Sequence, residues 1–299
     1  MPEGLITKAL SGYYYVQDGE TLVQCRARGI FKKRGESPLV GDRVGYSLTD
    51  NGEGTVERIE ARHSELIRPP IANADLAVLV FSVARPELSL TLLDKFLVHV
   101  EHAGLNSLLV FTKLDRIPDG SDGERIRADV KNARKLYESI GYDVLLTSAH
   151  QGDGIEALRR ALAGHINVFA GQSGVGKSSL LNALVPGLTL ETNEISDKLG
   201  RGKHTTRHVE LVALQDGGYL ADTPGFSQLD FGELGIEQIG SCFREFRELS
   251  SGCKFRGCTH IHEPSCAVLQ AKEEGRIAAS RYGNYAAFMA EWKETRRRY

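Results

Sequence analysis

The chain has 299 residues, room for two or three domains. Its 41 % hydrophobic and 25 % charged content excludes a disordered chain, a collagen and a disulfide scaffold. No stretch approaches the roughly 18–20 apolar residues of a membrane span, and MPEGLITKALSGYYY lacks the charged start and apolar run of a secretory signal. A cytoplasmic protein is expected. The net charge of −2 is unevenly spread. Residues 1–68 hold 10 basic and 10 acidic side chains, 69–249 hold 18 and 24, and 250–299 hold 9 and 5. Basic clusters at both ends of an acidic middle favour a polyanion such as nucleic acid.

Residues 1–67 read as all-β. Glycines punctuate short runs such as YYYV, TLVQCRA and DRVGYSL, and the length suits an OB-like five-stranded barrel. Arg26, Arg28, Lys32, Lys33 and Arg34 fall together with no acid between Thr21 and Gly35, which marks the barrel for RNA. Arg68-Pro69-Pro70 reads as a linker, because proline blocks ladder bonds and biases its predecessor to extended geometry.

From Asp75 the pattern changes to alternating strand and helix: strands at 76–83, 107–112, 143–147 and 165–170, helices near 88–103, 123–140, 153–163 and 177–185, and strands near 208–214 and 218–221. This predicts a mostly parallel α/β sheet with ligands at the carboxyl ends of its strands. After about 230 the chain reads as helical, interrupted by a cysteine cluster, with a helix over 273–298. The expected division is 1–67, 68–230 and 231–299.

Gly171-Gln172-Ser173-Gly174-Val175-Gly176-Lys177-Ser178, followed by Ser179, matches G-x-x-x-x-G-K-[ST] between a strand and a helix. Its glycines admit backbone N–H groups to a nucleotide's phosphates. Lys177 supplies a point charge to the β and γ phosphates, and Ser178 a hydroxyl for Mg²⁺. Asp222-Thr223-Pro224-Gly225 ends a strand, where Asp222 can hold Mg²⁺ through water and the Gly225 N–H can meet a γ-phosphate. Thr112-Lys113-Leu114-Asp115 follows another strand. The Asp115 carboxylate can accept from both the N1–H and the 2-amino group of guanine, a pair adenine lacks, which argues against an ATPase. Lys113 would lay its stem over the base. Thr112 stands where GTPases usually carry Asn. Thr147-Ser148-Ala149 resembles the small-residue turn, with Ser148 and Ala149 beneath the base.

These are GTPase motifs in an unusual order, the base-binding segments preceding the phosphate loop. A circular permutation accommodates this, since domain termini lie at the surface and often close together. A barrel, then GQSGVGKSSLLN, RGKHTT and DTPGF in permuted order, then Cys and His ligands, resembles the RsgA (YjeQ/YloQ) family over essentially the whole chain. The resemblance implies a monomeric GTPase that turns GTP into GDP and phosphate, is stimulated by the 30S ribosomal subunit, binds its 16S rRNA, and acts late in 30S maturation. A rival reading is a GTP-gated RNA-binding module whose turnover is incidental. Phe226 leans that way, because it occupies the position where many GTPases place a water-orienting Gln.

The water must then be held from elsewhere. Arg201-Gly202-Lys203-His204-Thr205-Thr206 reads as the first switch, with Thr206 or Thr205 closing on Mg²⁺. His204 is the candidate for positioning water, a role the resemblance supports; the alternative is a loop residue contacting rRNA or solvent. Cys253-x4-Cys258-x-His260-x5-Cys266 offers three thiolates and an imidazole, a donor set for one structural, tetrahedral Zn²⁺. His262 competes for the fourth place, and the resemblance favours His260. Cys25 and Cys242 stand alone and read as buried small residues.

Overall fold

The structure, a computed structural model, describes residues 1–67, 70–185, 209–222, 229, 231 and 234–297, with Lys32, Asp222 and Arg297 described by their backbone alone. Arg68, Pro69, the 201–206 segment, Thr223 to Phe226 and Arg298 lie outside the described residues.

Five strands, β1 (Glu3–Leu10), β2 (Tyr13–Asp18), β3 (Thr21–Ala27), β4 (Arg43–Leu48) and β5 (Gly54–Ile59), pair in the order β1-β2-β3-β5-β4 and close through β1–β4. The alternation along them is the cause. Val16, Val23, Cys25, Val44, Tyr46 and Val56 all turn inward and are buried. A short helix, α1 (Gly29–Lys33), lies between β3 and β4 within the basic cluster, anchored by buried Phe31.

Where the sequence predicts a linker, residues 65–72 instead form a hairpin, β6 (Glu65–Ile67) with β7 (Pro70–Ala72). Leu66 and Ile71 bury against the core, and Ile71 bridges Val40. Pro70 is tolerated because it opens its strand. Beside the hairpin, Arg62 grips buried Asp42 with two bonds, of 2.7 and 2.8 Å.

The α/β sheet runs β10 (Asp143–Leu146), β9 (Asn106–Thr112), β8 (Leu76–Ser82), β11 (Ile166–Ala170), β13 (Tyr219–Asp222) and β12 (Glu210–Ala213). All are parallel except β12, which is antiparallel to β13. β8 is buried on both faces. Ala77, Leu79 and Phe81 pack against α2 (Leu90–His102) and α3 (Ser121–Ser139), in a core continuous with the barrel's. Val78 and Val80 pack against α4 (Ile155–Leu162) and α5 (Lys177–Leu184). At about 1.5–3 kcal/mol per buried side chain, these faces dominate the domain's stability. The chain winds outward from β8 to β10 and returns beside β8 as β11, so the sheet's switch point lies between β8 and β11. That is where open α/β sheets bind ligands.

The C-terminal part comprises α6 (Ile236–Ser241), α7 (Arg244–Ser250), α8 (Ala267–Glu273) and α9 (Ala279–Arg297). The helix predicted over 273–298 is therefore broken. α8 stops at Glu273, Gly275 takes φ +75°, and α9 begins at Ala279. Phe243, Phe246, Tyr285 and Phe288 form its core, joined by Val98 of α2. At that contact Arg281, only 2 % exposed, donates to Asp94 of α2 at 2.6 Å and twice to Glu245, at 2.7 and 2.9 Å. Tyr137 and Asn284 also donate to Asp94, each at 2.6 Å. On the same helix, Glu101 accepts from Arg244 at 2.6 Å and also from Arg247.

Candidate nucleotide site and metal centre

The loop 171–176 leaves β11 and enters α5 at the sheet's switch point. Gly171 has φ +146°, and a Cβ there would stand 2.2 Å from the Val80 carbonyl oxygen of β8, so no side chain fits. Gly174 and Gly176 also have positive φ, which turns the loop around the start of the helix. Lys177 bends back over it, donating to the carbonyls of Gly171 and Gln172 at 2.7 Å each. Burial pulls its ammonium down to about 8. An anion in the loop would reverse that shift by supplying the missing charge. Ser178 is buried at the first turn.

The 112–115 segment meets this loop. Thr112, at the end of β9, is buried and donates from Oγ1 to the Val175 carbonyl at 3.2 Å. The Thr in place of Asn thus ties the two loops together through its hydroxyl. Lys113 has φ +65° and donates to the carbonyls of Arg85 and Gly174, so its stem crosses from one loop to the other. A non-glycine residue held in this region stores strain of the kind found at ligand clamps. Asp115, half-buried in a single 3₁₀ turn, accepts from the Ser148 hydroxyl at 2.6 Å. Buried Ser148 in turn accepts from the Gln151 N–H at 3.1 Å, and Ala149 lies beside it, half-buried. The Asp222 backbone ends β13, beside β11. His204, Thr205, Thr206 and Gly225 lie outside the described residues.

In the C-terminal part, Cys253, Cys258, His260 and Cys266 present ligand atoms that all lie within 4.8 Å of one another. Cys253 Sγ and Cys266 Sγ are 3.8 Å apart, the sulfur–sulfur edge of a tetrahedron with metal–sulfur bonds of about 2.3 Å. His260 Nδ1 lies 3.3 Å from Cys266 Sγ and 3.6 Å from Cys253 Sγ. Its Nε2 faces the Ser250 hydroxyl at 3.3 Å, the outer contact that orients a ligating imidazole. His262 is exposed and stands outside this group. Burial pushes the Cys258 thiol up to about 12 and raises Cys266 as well. Thiols held protonated by burial at Cys258 and Cys266, crowded against Cys253 and His260, fit a site completed by a cation. The four residues can therefore hold one metal ion.

Two supports escaped the sequence reading. Glu263 accepts from the Thr259 N–H at 2.8 Å, the Ile261 N–H at 2.9 Å and the His262 N–H at 3.1 Å, and from the Thr259 hydroxyl. Burial alone would raise its carboxyl, but these bonds bring it down to about 2. The other is Arg85, whose contribution is a backbone carbonyl. A lone acid within the metal loop was the available signal for Glu263; a carbonyl leaves none.

Residues 3–56 match the RsgA N-terminal domain family and residues 59–232 the RsgA GTPase family. The chain is 53 % identical over 301 residues to the small ribosomal subunit biogenesis GTPase RsgA of Bacillus velezensis, all of both chains being covered. It is 51 % identical over 303 residues to the protein of that name in Bacillus subtilis strain 168, again with full coverage. Among solved structures it resembles YloQ, described as a circularly permuted GTPase, with TM-score 0.84, 46 % identity, and 99 % of this chain and 96 % of that one covered. It also resembles YjeQ from Thermotoga maritima, with TM-score 0.85, 37 % identity, and 97 % and 98 % covered. With the 112–115 segment preceding the 171–178 loop in the chain and joined to it in space, the protein belongs to the RsgA GTPase family, a circularly permuted P-loop GTPase domain behind an N-terminal barrel.

Proposed function

We propose that this protein hydrolyses GTP to GDP and phosphate in the assembly of the small ribosomal subunit, and that the 30S particle stimulates its turnover late in maturation. The observation that carries the reading is the junction of Thr112 and Lys113 with the phosphate loop, in a chain alike over its full length to proteins named for that role. Residues 171–179 bind the phosphates, with Lys177 on the β and γ groups. Asp115 reads the guanine edge, Lys113 and Leu114 flank the base, and Ser148 and Ala149 support it. Ser178, Asp222 and either Thr206 or Thr205 would hold Mg²⁺, which would supply charge neutralisation between the β and γ phosphates. Gly225 meets the γ-phosphate. His204 orients the attacking water, since Phe226 has no polar group for it.

Cys253, Cys258, His260 and Cys266 hold one structural zinc. The barrel (1–67) and the zinc-binding part (231–299) flank the GTPase domain (68–230) and contact 16S rRNA, in a cytoplasmic monomer. GTP turnover titrated with 30S, 50S and 70S particles tests this, with large stimulation by 30S expected. His204→Ala should bind GTP normally and lose about 10²-fold or more of that stimulation. Turnover indifferent to every particle would favour the GTP-gated RNA-binding module to which Phe226 points.

A further inference from the structure

The tip of the metal loop carries a feature the metal does not need. Lys254, Phe255, Arg256 and Gly257 are all exposed, between the ligands Cys253 and Cys258. Phe255 is 44 % exposed, the one exposed phenylalanine among the described residues. A ring left in water by a loop whose ends are pinned does not pack this protein's core. Lys254 holds its ammonium 5.6 Å from the ring centroid. Neither Lys254 nor Arg256 forms an ion pair with any described residue. Glu237 lies against the Gly257 backbone and pairs with neither. In the barrel's cluster, Arg26 lies over the Tyr13 ring and Arg28 pairs with Glu57.

An exposed aromatic ring flanked in the chain by two cations that have no carboxylate partner has the chemistry that recognises single-stranded nucleic acid, a base stacking on the ring while its phosphates meet the charges. Pinning the loop by metal ligands reduces the ordering cost of that contact. We infer that Phe255 is a base-stacking residue that receives an unpaired nucleotide of ribosomal RNA, with Lys254 and Arg256 on the adjoining phosphates. This rests on the reading of the small subunit as partner.

The test compares wild type with F255A, F255L, F255W and K254A/R256A, each checked for metal content and thermal midpoint. Binding is measured to 30S subunits with a non-hydrolysable GTP analogue, and separately to a single-stranded oligouridine. F255A and F255L should both lose about 5- to 150-fold in affinity, with F255W close to wild type. F255A should leave the salt dependence unchanged, because stacking releases no counterions, whereas K254A/R256A should flatten it. Wild-type affinity in F255A overturns the inference. So does full affinity in F255L with loss only in F255A, which would assign the ring to an apolar protein surface. Phe255-dependent binding of oligouridine by a chain that ignores 30S would leave the stacking role standing and remove the subunit as partner; failure to bind either RNA would overturn both.

Discussion

Lys177 is the residue whose titration the nucleotide must change. Its ammonium is held down to about 8 by burial in the free protein. Phosphates in the loop restore the charge-favouring environment and raise it. GTP binding near pH 8 should therefore take up a fraction of a proton, and affinity should fall as pH rises above 8, until the complex itself loses the proton. Calorimetry at pH 8 in two buffers of different ionisation enthalpy measures this; identical heats would show that Lys177 is not depressed. On the proposed function, Asp115 reads the guanine edge. Asp115→Asn should weaken GTP binding by roughly 1.5–3 kcal/mol and improve binding of xanthosine nucleotides, because the carboxylate's partner is the 2-amino donor. Competition binding with both nucleotides decides it. The phosphate loop was legible because its requirements are contiguous. The part Thr112 plays was not, since its partner is a backbone carbonyl 63 positions away.

At the scale of elements, α2 is the seam. Neighbours on it differ sharply. Asp94 is 1 % exposed and accepts from Arg281, Tyr137 and Asn284, whereas Lys95 pairs with half-exposed Glu291. Removing Asp94 leaves buried donors without an acceptor. Asp94→Ala should therefore cost about 3–5 kcal/mol, and Lys95→Ala about 1 kcal/mol or less. Urea midpoints of the two variants check the order. Cys258→Ala removes one donor of the set that can hold a metal ion, so on the proposed function it should abolish zinc binding and lower the thermal midpoint; metal analysis beside a melting curve reads both. Helix positions followed from apolar spacing, but their ends did not. The hairpin at 65–72 depends on the core that Leu66 and Ile71 pack against, which no local spacing shows. Asp94 and Arg281 lie 187 positions apart, beyond any local pattern.

At the scale of the whole molecule, the barrel packs on one face of the α/β sheet and the C-terminal helices pack on α2. β1 of the barrel pairs with β12 at Lys8 and Glu210, whose side chains also meet at 2.8 Å, so barrel and α/β sheet are continuous. The barrel core and one face of that sheet form a single apolar cluster. In the chain, β12 follows the RGKHTT segment and β13 ends at the first residue of the DTPG motif. The barrel's basic cluster and the net +4 of residues 250–299 flank an acidic middle, so RNA should be held at both ends. Two linked contacts act through effective concentration, and each neutralised phosphate adds to the salt dependence. The most direct measurement is the affinity of the full chain for 30S subunits with a non-hydrolysable GTP analogue and with GDP, each at 50 and about 200 mM salt. The account predicts tighter binding with the analogue and a steep loss with salt in both states; equal affinity in the two nucleotide states would contradict it.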